Sequence, residues 1–147
     1  MPSRDPDATP TSASRGGTAA DLVTVSSRSC SPFSTVLEAT LVFRDEDCDV
    51  LPVLEAGRLL GVVTDRDVAL GVPVYRDLAD RPVSDVMSRD VVEVRPEDPH
   101  EAIERLFAHK KVRHLVVIDA GGRLVGVIAW CDLIKHLNDL RLGGALV

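Results

Sequence analysis

No stretch of the 147-residue chain approaches the ~18 consecutive apolar residues of a membrane-crossing helix, and the first residues lack the apolar run of a secretory signal. A spanning helix is thereby excluded, and a soluble, cytoplasmic protein is expected. Positive charge is not in excess: 17 Lys and Arg stand against 23 Asp and Glu, for a formal charge of −6. Such a surface repels phosphate backbones and anionic headgroups, so neither nucleic acid nor membrane is an expected partner. Cysteine is scarce and odd in number. Cys30, Cys48 and Cys131 fall into no CxxC or metal-ligand spacing. They read as reduced structural thiols, while the position of Cys30 and Cys48 on either side of the first expected helix leaves a bridge or a shared metal between them open. Catalytic signatures are missing as well: there is no GxxxxGK(S/T) loop, GxSxG elbow or HExxH pair, and His100, His109, His114 and His136 are dispersed. No enzymatic activity and no required cofactor are expected.

What the chain does have is a repeat. Gly57-Arg-Leu-Leu-Gly-Val-Val-Thr-Asp-Arg-Asp67-Val68 returns 65 positions later as Gly122-Arg-Leu-Val-Gly-Val-Ile-Ala-Trp-Cys-Asp132-Leu133. Six of the twelve pairs are identical and three more exchange one aliphatic residue for another, which marks an internal duplication. The other three pairs, Thr64/Ala129, Asp65/Trp130 and Arg66/Cys131, are adjacent and change chemical type. One copy has kept polar groups where the other has lost them. A chain of this length, 45% hydrophobic, can bury one ordinary core and hardly two, so the copies must share it.

Residues 1–20, rich in Pro, Ser, Thr, Asp, Gly and Ala, offer no large apolar side chain after Met1 and read as a disordered tail. Residues 21–80 form the first unit with its linker. They carry an expected strand at 22–25, a helix opened by a Thr35/Glu38 capping box, a hairpin from two aliphatic runs at 50–54 and 59–63, and a short helix from Asp65. Residues 81–142 repeat the order, with a strand at 91–94, a helix N-capped by Asp98 with Pro99 at its first position, strands at 115–118 and 124–128, and a helix from Asp132. Residues 143–147 are left as a C-terminal tail. Upstream of the turn the better register is 64, aligning Val42 with Leu106 and Phe43 with Phe107.

These residues resemble a tandem pair of cystathionine-β-synthase (CBS) domains, a Bateman module. The resemblance rests on Leu51-Pro-Val53 with Gly61-Val-Val-Thr-Asp-Arg-Asp67, on Glu101-Ala102, Leu115-Val-Val117 and Gly126-Val-Ile-Ala-Trp-Cys-Asp132, and on a lead-in, Val83-Ser-Asp-Val-Met87. It spans about residues 21 to 142, and the first unit lacks the Met-containing lead-in. It implies an α/β (α+β) fold of two β-α-β-β-α units packed sheet to sheet about a pseudo-twofold axis, with two clefts that take AMP, ADP, ATP or S-adenosylmethionine. It further implies that the last Asp of the motif accepts from ribose hydroxyls and that the Thr three residues earlier donates to phosphate, which nominates Thr64 and Asp67. The physics agrees: Thr64 stands where a strand becomes a helix, beside free N–H groups, and Asp67 is an acceptor-only group suited to a diol. A plain helix cap explains the same two residues equally well.

In the second copy Asp132 remains but Ala129 has no hydroxyl, which costs phosphate capture about 1 kcal/mol or more. Trp130 beside it reads as a stacking surface for adenine, as filling for an empty cleft, or as ordinary packing. Residues 45–49, acidic, align with residues 109–113, basic. The two corners read as solvated helix ends, as a phosphate contact through Arg113 and His114, or as complementary surfaces of a head-to-tail homodimer. The expected function is a stand-alone regulatory module sensing an adenosine-containing ligand at one competent site and passing its state to a separate downstream protein. The competing expectation is a ligand-free structural or protein-interaction module.

Overall fold

The computed structural model describes residues 17–24 and 28–145. After a short helix α1 (Ala19–Leu22), the first unit runs α2 (Val36–Glu46), β1 (Val50–Glu55), β2 (Arg58–Thr64) and α3 (Asp65–Gly71). The second runs β3 (Glu93–Val94), α4 (His100–Lys110), β4 (His114–Ile118), β5 (Leu124–Ala129) and α5 (Trp130–Ala145). Both hairpins are antiparallel and carry an irregularity at equivalent places, Val53/Leu54 and Val117/Ile118. Both first helices end on a residue in the left-handed region, Asp47 and Lys111, so the 64-residue register holds in the backbone itself. The capping box at Thr35 forms as expected, its hydroxyl accepting from the Glu38 N–H at 3.1 Å and the Glu38 carboxylate accepting from the Thr35 N–H at 3.0 Å. The second helix departs from expectation by one residue. Pro99 is its N-cap, because the Asp98 carboxylate is already committed to the Arg95 N–H, 2.8 Å away, where it closes the preceding turn.

The strand expected at 22–25 is not there. Leu22 ends α1, Thr24 makes a single bridge, and residues 25–27 lie outside the described part. The position equivalent to Val94 of β3 is Cys30, which bridges Val53 in parallel as Val94 pairs with Val117. With the strand position moved to Cys30, the connection to α2 is residues 31–34, matching residues 95–98.

Residues 17–24 pack on the second unit, not the first. Thr18 bridges Pro99, the Ala19 N–H donates to the Asp98 carbonyl at 2.8 Å, and Thr24 and Val127 exchange backbone bonds. Residues 82–88 do the same to the first unit: Pro82 bridges Thr35, the Val83 N–H donates to the Ser34 carbonyl at 2.7 Å, and Ser88 and Val62 exchange bonds. Each unit is thus entered through a segment that clamps the other, and the exchange is reciprocal. Ala19, assigned to a tail by composition, is fully buried. Residues 1–16 of that expected tail lie outside the described residues.

Strand alternation divides the apolar side chains between two destinations. Val63 and Ile128 turn toward the helices of their own units, where Ala39, Leu51 and Val53 form one core and Ile103, Phe107, Leu115 and Leu133 the other. Val62 and Val127, one residue earlier, turn the opposite way and meet Val116 and Ile118 in a third cluster. The sheets therefore pack on each other through one shared layer. Burying a Val or Leu side chain in such a layer stabilises by about 1.5 to 3 kcal/mol.

Candidate functional site

A cavity of about 630 Å³ opens between the two units, within the range of small-molecule pockets. From the second unit it is lined by Val127, Ala129, Cys131 and Asp132, together with Thr24 of the exchanged segment. From the first it receives residues 46–50, the corner where α2 passes into β1, along with Asp65 and Arg28. The repeated motif therefore lies at the wall of a real cleft, and it is the copy lacking the threonine. In that cleft the Thr24 hydroxyl donates to Oδ2 of Asp132 at 3.3 Å.

Thr64 and Asp67 are brought together by a capping box at the start of α3. The Thr64 hydroxyl oxygen accepts from the Asp67 N–H at 3.1 Å, and Asp67 Oδ2 accepts from the Thr64 N–H at 2.9 Å. The Ser88 hydroxyl donates to the other carboxylate oxygen at 2.9 Å, as Thr24 does to Asp132. Capping and ligand binding do not compete for every group. The Thr64 oxygen is used as an acceptor, so its own proton remains available to a phosphate, and each Asp67 oxygen has a second lone pair for a ribose hydroxyl. The cap fixes the rotamers of both side chains.

Arg113 and His114 part company. Arg113 is exposed, and its carbonyl accepts the Trp130 N–H at 2.9 Å, as that of Asp49 accepts the Asp65 N–H at 3.1 Å. His114 is nearly covered, with a side chain only 10% exposed, and its Nε2 lies 3.3 Å from Asp49 Oδ1. The acidic and basic corners, aligned in sequence, thus touch within one chain through this pair. Trp130 does not line the cavity at Asp132; it sits edge-on against Phe107, centroids 5.4 Å apart, and is 44% exposed. It thus packs in part on the second unit's own core.

The thiols are separate. Cys30 reaches the Pro52 carbonyl and Cys48 that of Val42, and Cys131 is exposed at the cavity wall. All three are free, and among the described residues no group of three or more His, Cys, Asp or Glu side chains is arranged to hold a metal ion. Burial pushes the Cys30 thiol up to about 11 and raises that of Cys48, which several neighbouring carboxylates raise further.

The CBS-domain family model matches the chain twice, over residues 19–73 and 83–139. The chain belongs to the CBS-domain family. It is 33% identical over 127 residues to the CBS domain-containing protein YhcV of Bacillus subtilis, covering 86% of this chain and 90% of that one. It is 30% identical over 136 residues to an inosine-5'-monophosphate dehydrogenase of Korarchaeum cryptofilum, of which it spans only 26%. Among solved structures it resembles CBSX2 in complex with AMP, at 26% identity and a TM-score of 0.74, over 86% of this chain and 99% of that one. The matches make up a CBS pair, and no helix among the described residues is long and apolar enough to cross a membrane. The exchanged segment at residues 17–24 was the feature sequence reasoning missed. Extending the 64-residue register upstream places Asp21 on Asp85 and Thr24 on Ser88, the one signal that could have found it.

Proposed function

We propose that this CBS pair is a stand-alone regulatory module that binds an adenosine-containing ligand between its units, with Thr64 and Asp67 forming the cleft that takes a phosphorylated one. The observation that carries the reading is the pairing of Asp132, the second copy's motif carboxylate, with a cavity of about 630 Å³ in a fold whose neighbour CBSX2 is a complex with AMP; Thr64 and Asp67 hold the equivalent place in the first copy. Asp67 and Asp132 serve the ribose, Thr64 the phosphate, and Arg113 approaches from the facing corner. His114 positions that corner through Asp49 in preference to meeting phosphate. The module acts in the cytoplasm, needs no cofactor beyond its ligand, and passes its state to a separate protein.

A second reading is favoured by one observation. Leu37 and Leu41, one turn apart on α2, and Phe33 in the turn that precedes it leave 48%, 39% and 75% of their surface exposed. Leu70, Val72 and Val74 add to the apolar surface of the same unit. We infer that this face is covered in a homodimer; as the sole function it would make the protein a ligand-free interaction module. Titration of the wild type, Asp67→Ala and Asp132→Ala with AMP, ADP, ATP and S-adenosylmethionine separates the two. A ligand at 100 times its Kd adds about 2.7 kcal/mol and raises the midpoint by on the order of ten degrees. No shift with any of the four compounds would leave the interaction module as the function.

A further inference from the structure

We propose that the two clefts have diverged in charge, so that the one at Asp132 takes a cationic nucleoside and the one at Thr64 and Asp67 takes the anionic nucleotide. The inference rests on reading both clefts as adenosine sites, and it goes beyond that reading by assigning a ligand class to each. The cavity at Asp132 exists because the units meet there; what its rim carries decides what enters. That rim presents five carboxylates, of Glu46, Asp47, Asp49, Asp65 and Asp132, against the single guanidinium of Arg28, which already pairs with Glu46 at 3.1 Å.

The reciprocal exchange of residues 17–24 and 82–88 defines which residues face the other cleft. Thr24 on Asp132 corresponds to Ser88 on Asp67, and the Asp65 N–H on the Asp49 carbonyl corresponds to the Trp130 N–H on that of Arg113. Under the same relation Glu46, Asp47 and Asp49 become Lys110, Lys111 and Arg113. Cys131 becomes Arg66, Asp65 becomes Trp130, and Arg28 becomes Val92. By that relation the counterparts of the acidic rim include four cations, Arg66, Lys110, Lys111 and Arg113. Both αL helix ends, Asp47 and Lys111, hold their charges in the same backbone geometry, so the inversion lies in side-chain identity and not in shape.

These charges are exposed, and each alone is weak, but a ligand seated in the cleft lies within about one Debye length, ~8 Å, of several at once. A triphosphate entering the Asp132 cleft meets same-sign charge from both units, and Ala129 stands where the other copy offers the Thr64 hydroxyl. A sulfonium or ammonium beside a ribose meets the opposite field, while the ribose keeps its acceptor in Asp132.

The test uses the full chain with ATP, S-adenosylmethionine and S-adenosylhomocysteine, the last sharing the skeleton without the sulfonium charge, and with tripolyphosphate and spermidine as charge-only probes. Calorimetry gives affinities and backbone-amide NMR gives location. ATP and tripolyphosphate should shift Thr64, Asp67 and Arg113, and S-adenosylmethionine and spermidine should shift Asp49 and Asp132. Asp47→Asn with Asp65→Asn should weaken S-adenosylmethionine roughly 3- to 10-fold and spare ATP, and Lys110→Gln with Arg113→Gln should do the reverse. ATP seated at Asp132 in the wild type, or equal affinity for the two S-adenosyl compounds, overturns the assignment. If no adenosine compound binds but the charge-only probes still sort between the clefts, the adenosine reading falls and the division by charge stands. If those probes do not sort, the division falls.

Discussion

Gly126→Ala should loosen the segment that locks the second unit to the N-terminal part of the chain. A Cβ built on Gly126 overlaps the carbonyl oxygen of Thr24 and crowds a methyl group of Val23, and on Gly61 it overlaps that of Ser88. Gly61 and Gly126, equivalent in the two copies, are thus sites where the backbone of another segment lies against the strand. Substitution forces either a displaced strand, at about 1 to 3 kcal/mol for overpacking, or release of the segment with its two backbone bonds to Val127 and the burial of Ala19 and Leu22. Opposing this, alanine lowers unfolded-chain entropy and returns about 0.4 to 1 kcal/mol. The net expectation is a destabilisation of about 1 to 2 kcal/mol in urea unfolding, with faster exchange of the Thr24 and Val127 amides. Gly122→Ala is the control. It has open space but φ of +80°, so it should cost about 1 kcal/mol of backbone strain without altering that exchange. Because Leu22 docks with the same segment, Leu22→Ala should show coupling to Gly126→Ala and none to Gly122→Ala. A neutral or stabilising Gly126→Ala with unchanged Thr24 protection would refute the close-approach argument.

Thr64→Ala removes the hydroxyl half of the α3 capping box and should cost about 1 kcal/mol of stability in urea, together with phosphorylated-nucleotide affinity in calorimetry; unchanged stability would mean the cap contributes nothing. Ala129→Thr should do the opposite at α5, where the side chain faces the cavity and has room: a gain of about 0.5 to 1 kcal/mol is expected, and a loss would show that Asp132 cannot reciprocate. Alkylation at neutral pH, followed by mass spectrometry, should label Cys131 first and Cys30 last. The Cys30 thiol is held protonated in the folded state, so its contribution to stability is complete below pH 9 and declines as pH rises from there toward about 11. Leu37→Asp with Leu41→Asp should turn a dimer into a monomer in sedimentation without lowering the unfolding midpoint of the monomer, since both side chains are already exposed.

The duplication, the hairpins and the Thr35 cap were legible because each is local: turn glycines, aliphatic runs and a Thr/Glu pair three residues apart carry their own physics. The first strand was misplaced because Leu22, Val23 and Val25 look like a strand in isolation, whereas Cys30 has one bridge and no apolar run to announce it. The partner of residues 17–24 could not be read from local pattern at all, since burial of Ala19 depends on a surface contributed by Pro96, Asp98 and Pro99 some eighty residues away. At the site the sequence nominated residues of the motif, but it could not reveal that Cys131, Asp65 and the acidic corner share one cavity. Pairwise register shows equivalence between copies and is silent about which corner faces which motif.

That facing relation gives the exchanged segments a role in how occupancy would be felt. Asp132 and Asp67 each hold a hydroxyl from the segment that clamps their unit, Thr24 at 3.3 Å and Ser88 at 2.9 Å. At Asp67 both carboxylate oxygens are already engaged, so a ribose diol must share one or displace the hydroxyl; at Asp132 Thr24 engages Oδ2, and a diol spanning both oxygens meets the same choice there. Sharing tightens the segment on the unit, and displacement frees one side-chain contact worth about 1 kcal/mol, with the backbone bonds left to hold it. The longer Thr24 contact is the weaker of the two. A ligand at Asp132 therefore acts on the segment with less to restrain it. The segment at residues 17–24 is where a difference between bound and free states would be largest.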